Sequence, residues 1–166
     1  MTTSQSFLQE LLLEAGNTRK LLNAMSNDVL GYKPAEKSWT MAQLGCHIAE
    51  SYHWYVPTFK ASFLDFAAYS YDKGDGNSVE GIVAKFEENL KQAIACLESV
   101  DDESIFSETW TMKMGEVTMA EMPRVAVVRS MLMNHLYHHR GQLTIYLRAS
   151  GKKVPGIYGP SSDEQG

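Results

Sequence analysis

No apolar run in the sequence approaches the roughly 18 residues that a membrane span requires. The opening Met1-Thr2-Thr3-Ser4-Gln5 has neither the basic start nor the apolar stretch of a signal peptide. The expected location is therefore cytoplasmic, with no membrane partner. Cysteine is scarce. Cys46 and Cys96 are the two present, and they sit inside apolar helical patterns without Cys-x-x-Cys spacing. They read as small buried residues more than as a disulfide or a zinc knuckle. Positive charge is also short, since 15 Lys and Arg stand against 20 Asp and Glu for a net charge of −5 and a pI near 5.5. Phosphate binding needs a concentrated basic face, and these basic residues are scattered, so nucleic acid is not an expected partner. There is no internal repeat and no low-complexity tract.

What the chain does have is apolar residues, 44% of 166. That is enough for one sizeable core and leaves too little chain for two ordinary domains, so residues 1–166 are expected to form a single domain. Phe7, Leu8, Leu11, Leu12, Ala15, Leu22 and Met25 recur at helical spacing from Ser6 to about Ser26, with Ser6 and Gln9 as a capping box. A loop with Gly31 and Pro34 follows. Thr40-Met41-Ala42-Gln43 is a second capping box, opening a helix that Pro57 kinks or ends, with Thr58 to Ala68 as a candidate continuation. Asn77-Ser78-Val79-Glu80 starts a third helix that runs to about Ser99. Trp110 to Val117 has β-forming residues around Gly115, and Thr118 to Glu121 repeats the cap pattern ahead of a last helix reaching Ala149. Gly151 suits the position just beyond that helix. Four amphipathic helices without a convincing sheet predict an all-α four-helix bundle, with room for a small hairpin between the third and fourth helices.

Three of the five histidines crowd into Asn134-His135-Leu136-Tyr137-His138-His139-Arg140-Gly141-Gln142-Leu143. On a helix His135 and His139 lie about 40° apart, one turn above the other, so they can share one ion. Val125, Val128, Leu132, Leu136, Leu143 and Tyr146 recur on the same arc, which turns this pair inward and leaves His138 on the rim. The second helix offers His47 on its inward side, whereas His53 falls about 240° round the wheel from it. Three neutral imidazoles suit Zn, Ni, Fe or Co and leave a coordination position for water or substrate. The alternative is a set of core histidines with their nitrogens hydrogen-bonded. Glu50, three residues after His47, reaches the cavity as an acceptor or a base, or else is a solvated helix carboxylate. Arg140 has two readings, a partner for an acidic substrate or for a carboxylate at a helix contact.

Trp39-Thr40 leading to His47-Ile48-Ala49-Glu50, then His135-x-x-x-His139-Arg140-Gly141-Gln142-Leu143, and finally Val154-Pro155-Gly156-Ile157-Tyr158-Gly159-Pro160 closely resemble the DinB/YfiT-like superfamily. The resemblance runs from the first helix to the tail, and His-Arg-Gly-Gln is its most specific part. It implies a four-helix bundle in up-down-down-up order, a homodimer, and a divalent metal held by three histidines that match His47, His135 and His139. It also places Tyr158 near the site. The function it implies is a metal-dependent enzyme acting on a small molecule, either a transferase using a low-molecular-weight thiol or a hydrolase. A thiol brought to an ion binds as thiolate, the reactive form, so such a site needs no protein cysteine. The alternative is a non-catalytic metal-binding stress-response or binding protein.

Overall fold

The computed structural model of the chain describes residues 1–164. Helix α1 spans Thr3–Asn23, α2 Met41–His53, α3 Tyr55–Lys60 and α4 Val79–Glu98. After them come a short turn α5 (Arg124–Ala126), a π-helical stretch Val127–Asn134, and α6 (His135–Ala149) that continues it without a break. Three strands complete the fold: β1 (Phe63–Asp65), β2 (Thr109–Met114) and β3 (Val117–Pro123). Leu11, Leu22, Met41, Leu44, Ile48, Ile82, Phe86, Leu97, Val128, Leu132, Leu143 and Leu147 are all buried where α1, α2, α4 and the last helix meet.

Several helix ends follow from local chemistry. Thr40 accepts from the Gln43 backbone amide at 3.2 Å while the Gln43 side chain accepts from the Thr40 amide at 2.8 Å, so α2 starts at Met41 as its cap pattern predicts. Helix α1 has the same box one turn earlier than expected, between Thr2 and Gln5. Serine and threonine with a glutamine three residues on occur twice in succession there, and the chain uses the first. The last helix closes on Gly151, whose φ of 77° lets the Lys152 amide reach Leu147 O at 2.8 Å.

The expectation of an all-α bundle is corrected by the sheet. The fold is mixed α/β, with β1 pairing parallel to β2 and β2 antiparallel to β3. Two local readings fail for the same reason, that strand pairing depends on distant partners. Phe63–Asp65 sits in the stretch Thr58 to Ala68 that offers a candidate helix continuation, yet it pairs with Thr111, Met112 and Lys113. Helix α3 cannot run on into it because Arg124 takes the last carbonyls, donating to Thr58 O at 2.8 Å and Ala61 O at 3.0 Å. The Thr118 to Glu121 cap pattern is overridden as well. Residues Val117–Pro123 are strand, turned back by Gly115 at φ 58°, and the helix begins only at Arg124. Buried Trp110 fastens the sheet to α3 by donating to Pro57 O at 3.2 Å.

The π-helical stretch changes the phase of the helix wheel. Its i→i+5 bonds widen each turn, so an arc projected backwards from α6 at α-helical pitch no longer predicts what is buried before residue 127. Val125, placed on the inward arc by the sequence, is 40% exposed, while neighbouring Val127 and Val128 are fully buried.

Candidate metal centre

His47 comes from α2, and His135 and His139 come from the start of α6, where the wider π turns give way to α-helical pitch. One ligating nitrogen from each lies within 4.8 Å of the others. The Nε2 of His135 is 2.9 Å from that of His47 and 3.1 Å from that of His139. A tetrahedral ion with imidazole bonds of about 2.0–2.1 Å would hold its nitrogens roughly 3.3 Å apart, close to this spacing. His138 is exposed, and His53 packs against Tyr71 at 5.2 Å, outside the cluster.

Proton accounting tests whether these residues fit a cation. Nδ1 of His139 lies 2.8 Å from the Gln142 carbonyl oxygen, and Nδ1 of His47 lies 3.4 Å from the Glu50 carboxylate. Both partners accept, so both Nδ1 atoms carry the hydrogen and both Nε2 atoms are bare lone pairs. These two lone pairs converge on His135, whose single Nε2–H can serve only one of them. A divalent ion at the shared point satisfies all three nitrogens, and the acceptors behind two of them are the outer partners such ligands use. Both partners sit three residues beyond their histidine, a spacing that puts side chains on one helix face. That spacing is the local signal for Gln142, which stands inside the His-Arg-Gly-Gln motif.

Two indoles wall the cluster. Trp39 stacks on His139 with ring centres 5.9 Å apart and meets His47 edge-on at 4.9 Å. Trp54 lies 5.2 Å from the His135 ring and 5.6 Å from His47. Nothing local in the sequence marks a tryptophan as the wall of a site. A cleft of about 260 Å³ reaches His139 between Lys37, Ser38, Trp39, Gln142 and Tyr146.

Arg140 points away from the cleft. Its guanidinium is 1% exposed, donates to Glu14 O at 2.9 Å, and pairs with the Glu14 carboxylate and the Tyr158 hydroxyl. Of its two readings, this contact is the carboxylate at a helix interface. Tyr158 donates to the same Glu14 carboxylate at 2.7 Å, so the tail is tied to α1 beside the site rather than inside it.

Burial, followed by the nearby imidazoles of His139 and His47, lowers the His135 pKa from 6.5 to about 4. Burial also lowers that of His139, against the opposing bond to Gln142. In the metal-free chain the unfolded state therefore takes up protons that the folded state resists. Stability is full above about pH 6.5 and is lost as the pH falls toward about 4, below which His135 costs nothing further. Urea unfolding of metal-free protein across this window is expected to show a falling midpoint, and a smaller fall in a His135→Asn variant. Equal pH dependence in the two proteins would contradict the assignment.

The DinB family model matches residues 1–165. YrdA of Bacillus subtilis, an uncharacterized protein, is 27% identical over 162 residues, covering 98% of this chain and 92% of its own length. Among solved structures, the DinB-like protein YjoA of Bacillus subtilis superposes with a TM-score of 0.73 at 21% identity, covering 94% of this chain and 99% of that one. YfiT of Bacillus subtilis, described as a probable metal-dependent hydrolase with an unusual four-helix bundle topology, superposes with a TM-score of 0.62 at 18% identity over 92% and 91% of the two chains.

Proposed function

This chain belongs to the DinB family, and from that premise we propose that it is a metal-dependent enzyme whose divalent ion is held by His47, His135 and His139. The observation that carries the reading is the convergence of three Nε2 atoms with too few protons between them. YfiT, similar in fold, is described in terms of the same chemistry. Among the described residues the cluster holds three ligating side chains, which leaves the open position that a catalytic site keeps and a structural one fills. When bound, the ion supplies a Lewis acid and lowers the pKa of a bound nucleophile.

The chain's own residues supply the rest. Trp39 and Trp54 flank two sides of the cluster, and Gln142 and Glu50 orient the imidazoles. Glu50 is the carboxylate that accepts from His47 Nδ1. The cleft volume suits a small substrate. Burial pushes the thiols of both Cys46 and Cys96 up, so the chain offers no ready thiolate, and a thiol-dependent reaction draws its sulfur from a small molecule. Hydrolysis and thiol transfer are the two reaction classes this arrangement serves.

The test is elemental analysis of protein purified without an affinity tag, followed by turnover assays of the loaded protein with hydrolysable esters and amides and with low-molecular-weight thiols plus electrophiles. About one divalent ion per chain and turnover in one class are expected. A bound ion with no turnover across the panel would favour a non-catalytic metal-binding protein.

A further inference from the structure

We infer that the cleft beside His139 takes small molecules that carry a carboxylate, with Lys37 supplying the opposite charge and the Gln142 amide a hydrogen bond. The inference rests on the proposed reading of this cleft as the way to the ion, and deepens it by naming a substrate class. Lys37, Ser38 and Trp39 line one side of the cleft, and His139, Gln142 and Tyr146 the other. Although the chain carries a net charge of −5, no aspartate or glutamate is among them. Among the described residues Lys85 and Lys152 have carboxylate partners, and Lys37 has none. The cleft thus offers a positive charge that the fold does not use.

Its hydrogen-bonding groups point the same way. The Gln142 side-chain oxygen is spent on Nδ1–H of His139 at 2.8 Å, which leaves the amide NH2 without a partner among the described residues. The Tyr146 proton is spent too, since that hydroxyl donates to the Trp39 carbonyl at 3.1 Å. An ammonium and an amide NH2 remain, and both can only donate. A ligand that satisfies them must accept, and a carboxylate brings two accepting oxygens together with the matching charge. One lysine, with no arginine beside it in the lining, suits a single negative charge better than the two of a phosphate. Trp39 is still 46% exposed with His139 stacked on it, so apolar surface is left for the rest of the molecule.

The loop that carries Lys37 is held at both ends. Its neck is closed by the Met41 amide donating to Tyr32 O at 2.8 Å and the Ala42 amide to Leu30 O at 3.0 Å, and its tip by the Ser38 amide donating to Ala35 O at 3.0 Å. With Tyr146 holding the Trp39 carbonyl, the backbone of residues 37–39 is fixed at the cleft before any ligand arrives. Little ordering of that backbone is then left to oppose binding.

Three probes matched in ring and length test this on the metal-free, full-length chain: 3-phenylpropanoate, 3-phenylpropanamide and 3-phenylpropylamine. Leaving the metal out keeps the carboxylate from binding an ion directly. Binding is followed by the Gln142 side-chain amide and Trp39 indole signals in proton–nitrogen correlation spectra. The wild type is expected to bind the carboxylate about 10-fold more tightly than the amide, with the amine weakest. Lys37→Met should bring carboxylate and amide within about 2-fold, and Lys37→Glu should reverse the order in favour of the amine. Lys37 is exposed, so both variants should fold, which circular dichroism checks. Equal binding of the three probes, a wild type that prefers the amine, a carboxylate preference that survives Lys37→Glu, or no shift at Gln142 or Trp39 with any probe would overturn the inference. Zn(II) content is measured on a separate sample. A chain that prefers the carboxylate and holds no Zn(II) would sink the metal reading alone, and one that holds Zn(II) without the preference would sink this one alone.

Discussion

Replacing His135 by alanine is expected to leave the protein without a stoichiometric divalent ion. His135 is the middle member of the cluster, its Nε2 lying 2.9 Å and 3.1 Å from those of His47 and His139. Its removal leaves two ligands facing a gap, and both are held by outer acceptors that prevent them from closing it. Loss of an outer partner alone costs about 10–100-fold in metal affinity, so loss of a ligand should exceed that range. The chain should still fold, because His135 is only partly buried and its nitrogens bond within the cluster alone. Elemental analysis and chelator competition on wild type and variant are the measurements. A full equivalent of metal in a folded His135→Ala protein would end the three-histidine assignment.

The second large effect is on stability. Replacing Arg140 by methionine is expected to destabilise the chain by about 3–5 kcal/mol, because it strands a carboxylate in the core. Glu14 is 7% exposed, and its carboxylate is held by Arg140 and Tyr158. The guanidinium also lies between the rings of Tyr137 and Tyr158, at 5.0 Å and 5.7 Å from their centres. For a chain of this length the melting temperature should fall by roughly 10 °C. Replacing both partners with apolar residues, as Glu14→Leu with Arg140→Met, should recover most of the loss, since the stranded charge goes with them. Calorimetry on the two single variants and the double variant checks this. A loss under about 1 kcal/mol in Arg140→Met would show that water reaches Glu14 after all.

Much of this protein is legible one helical turn at a time. His135 and His139 are four residues apart on one face, Thr40 and Gln43 form a reciprocal cap, and Ser78 caps α4 through the Gly81 amide, one residue after the Asn77 that its pattern offers. Each depends on residues three or four positions apart, the range within which a helix brings side chains together. Val125 marks the limit of that reasoning, because the π turns between it and His135 reset the phase that a regular wheel assumes.

What only the tertiary structure decided rests on partners far apart in the chain. A threonine cap pattern at Thr118 became strand because Thr109–Met114 was available to pair with it, and Phe63–Asp65 joined that strand from the other side. Arg140 found its carboxylate 126 positions away in Glu14, and His47 meets His135 across 88. The tryptophans that wall the histidines carry no local signature because a ring's neighbours are set by packing and not by its own sequence context. Helical periodicity and capping are short-range properties and survive in one dimension. Sheet pairing, buried ion pairs and the closure of a site are long-range ones, decided when the folded chain brings distant donors and acceptors together and burial penalises any that remain unpaired.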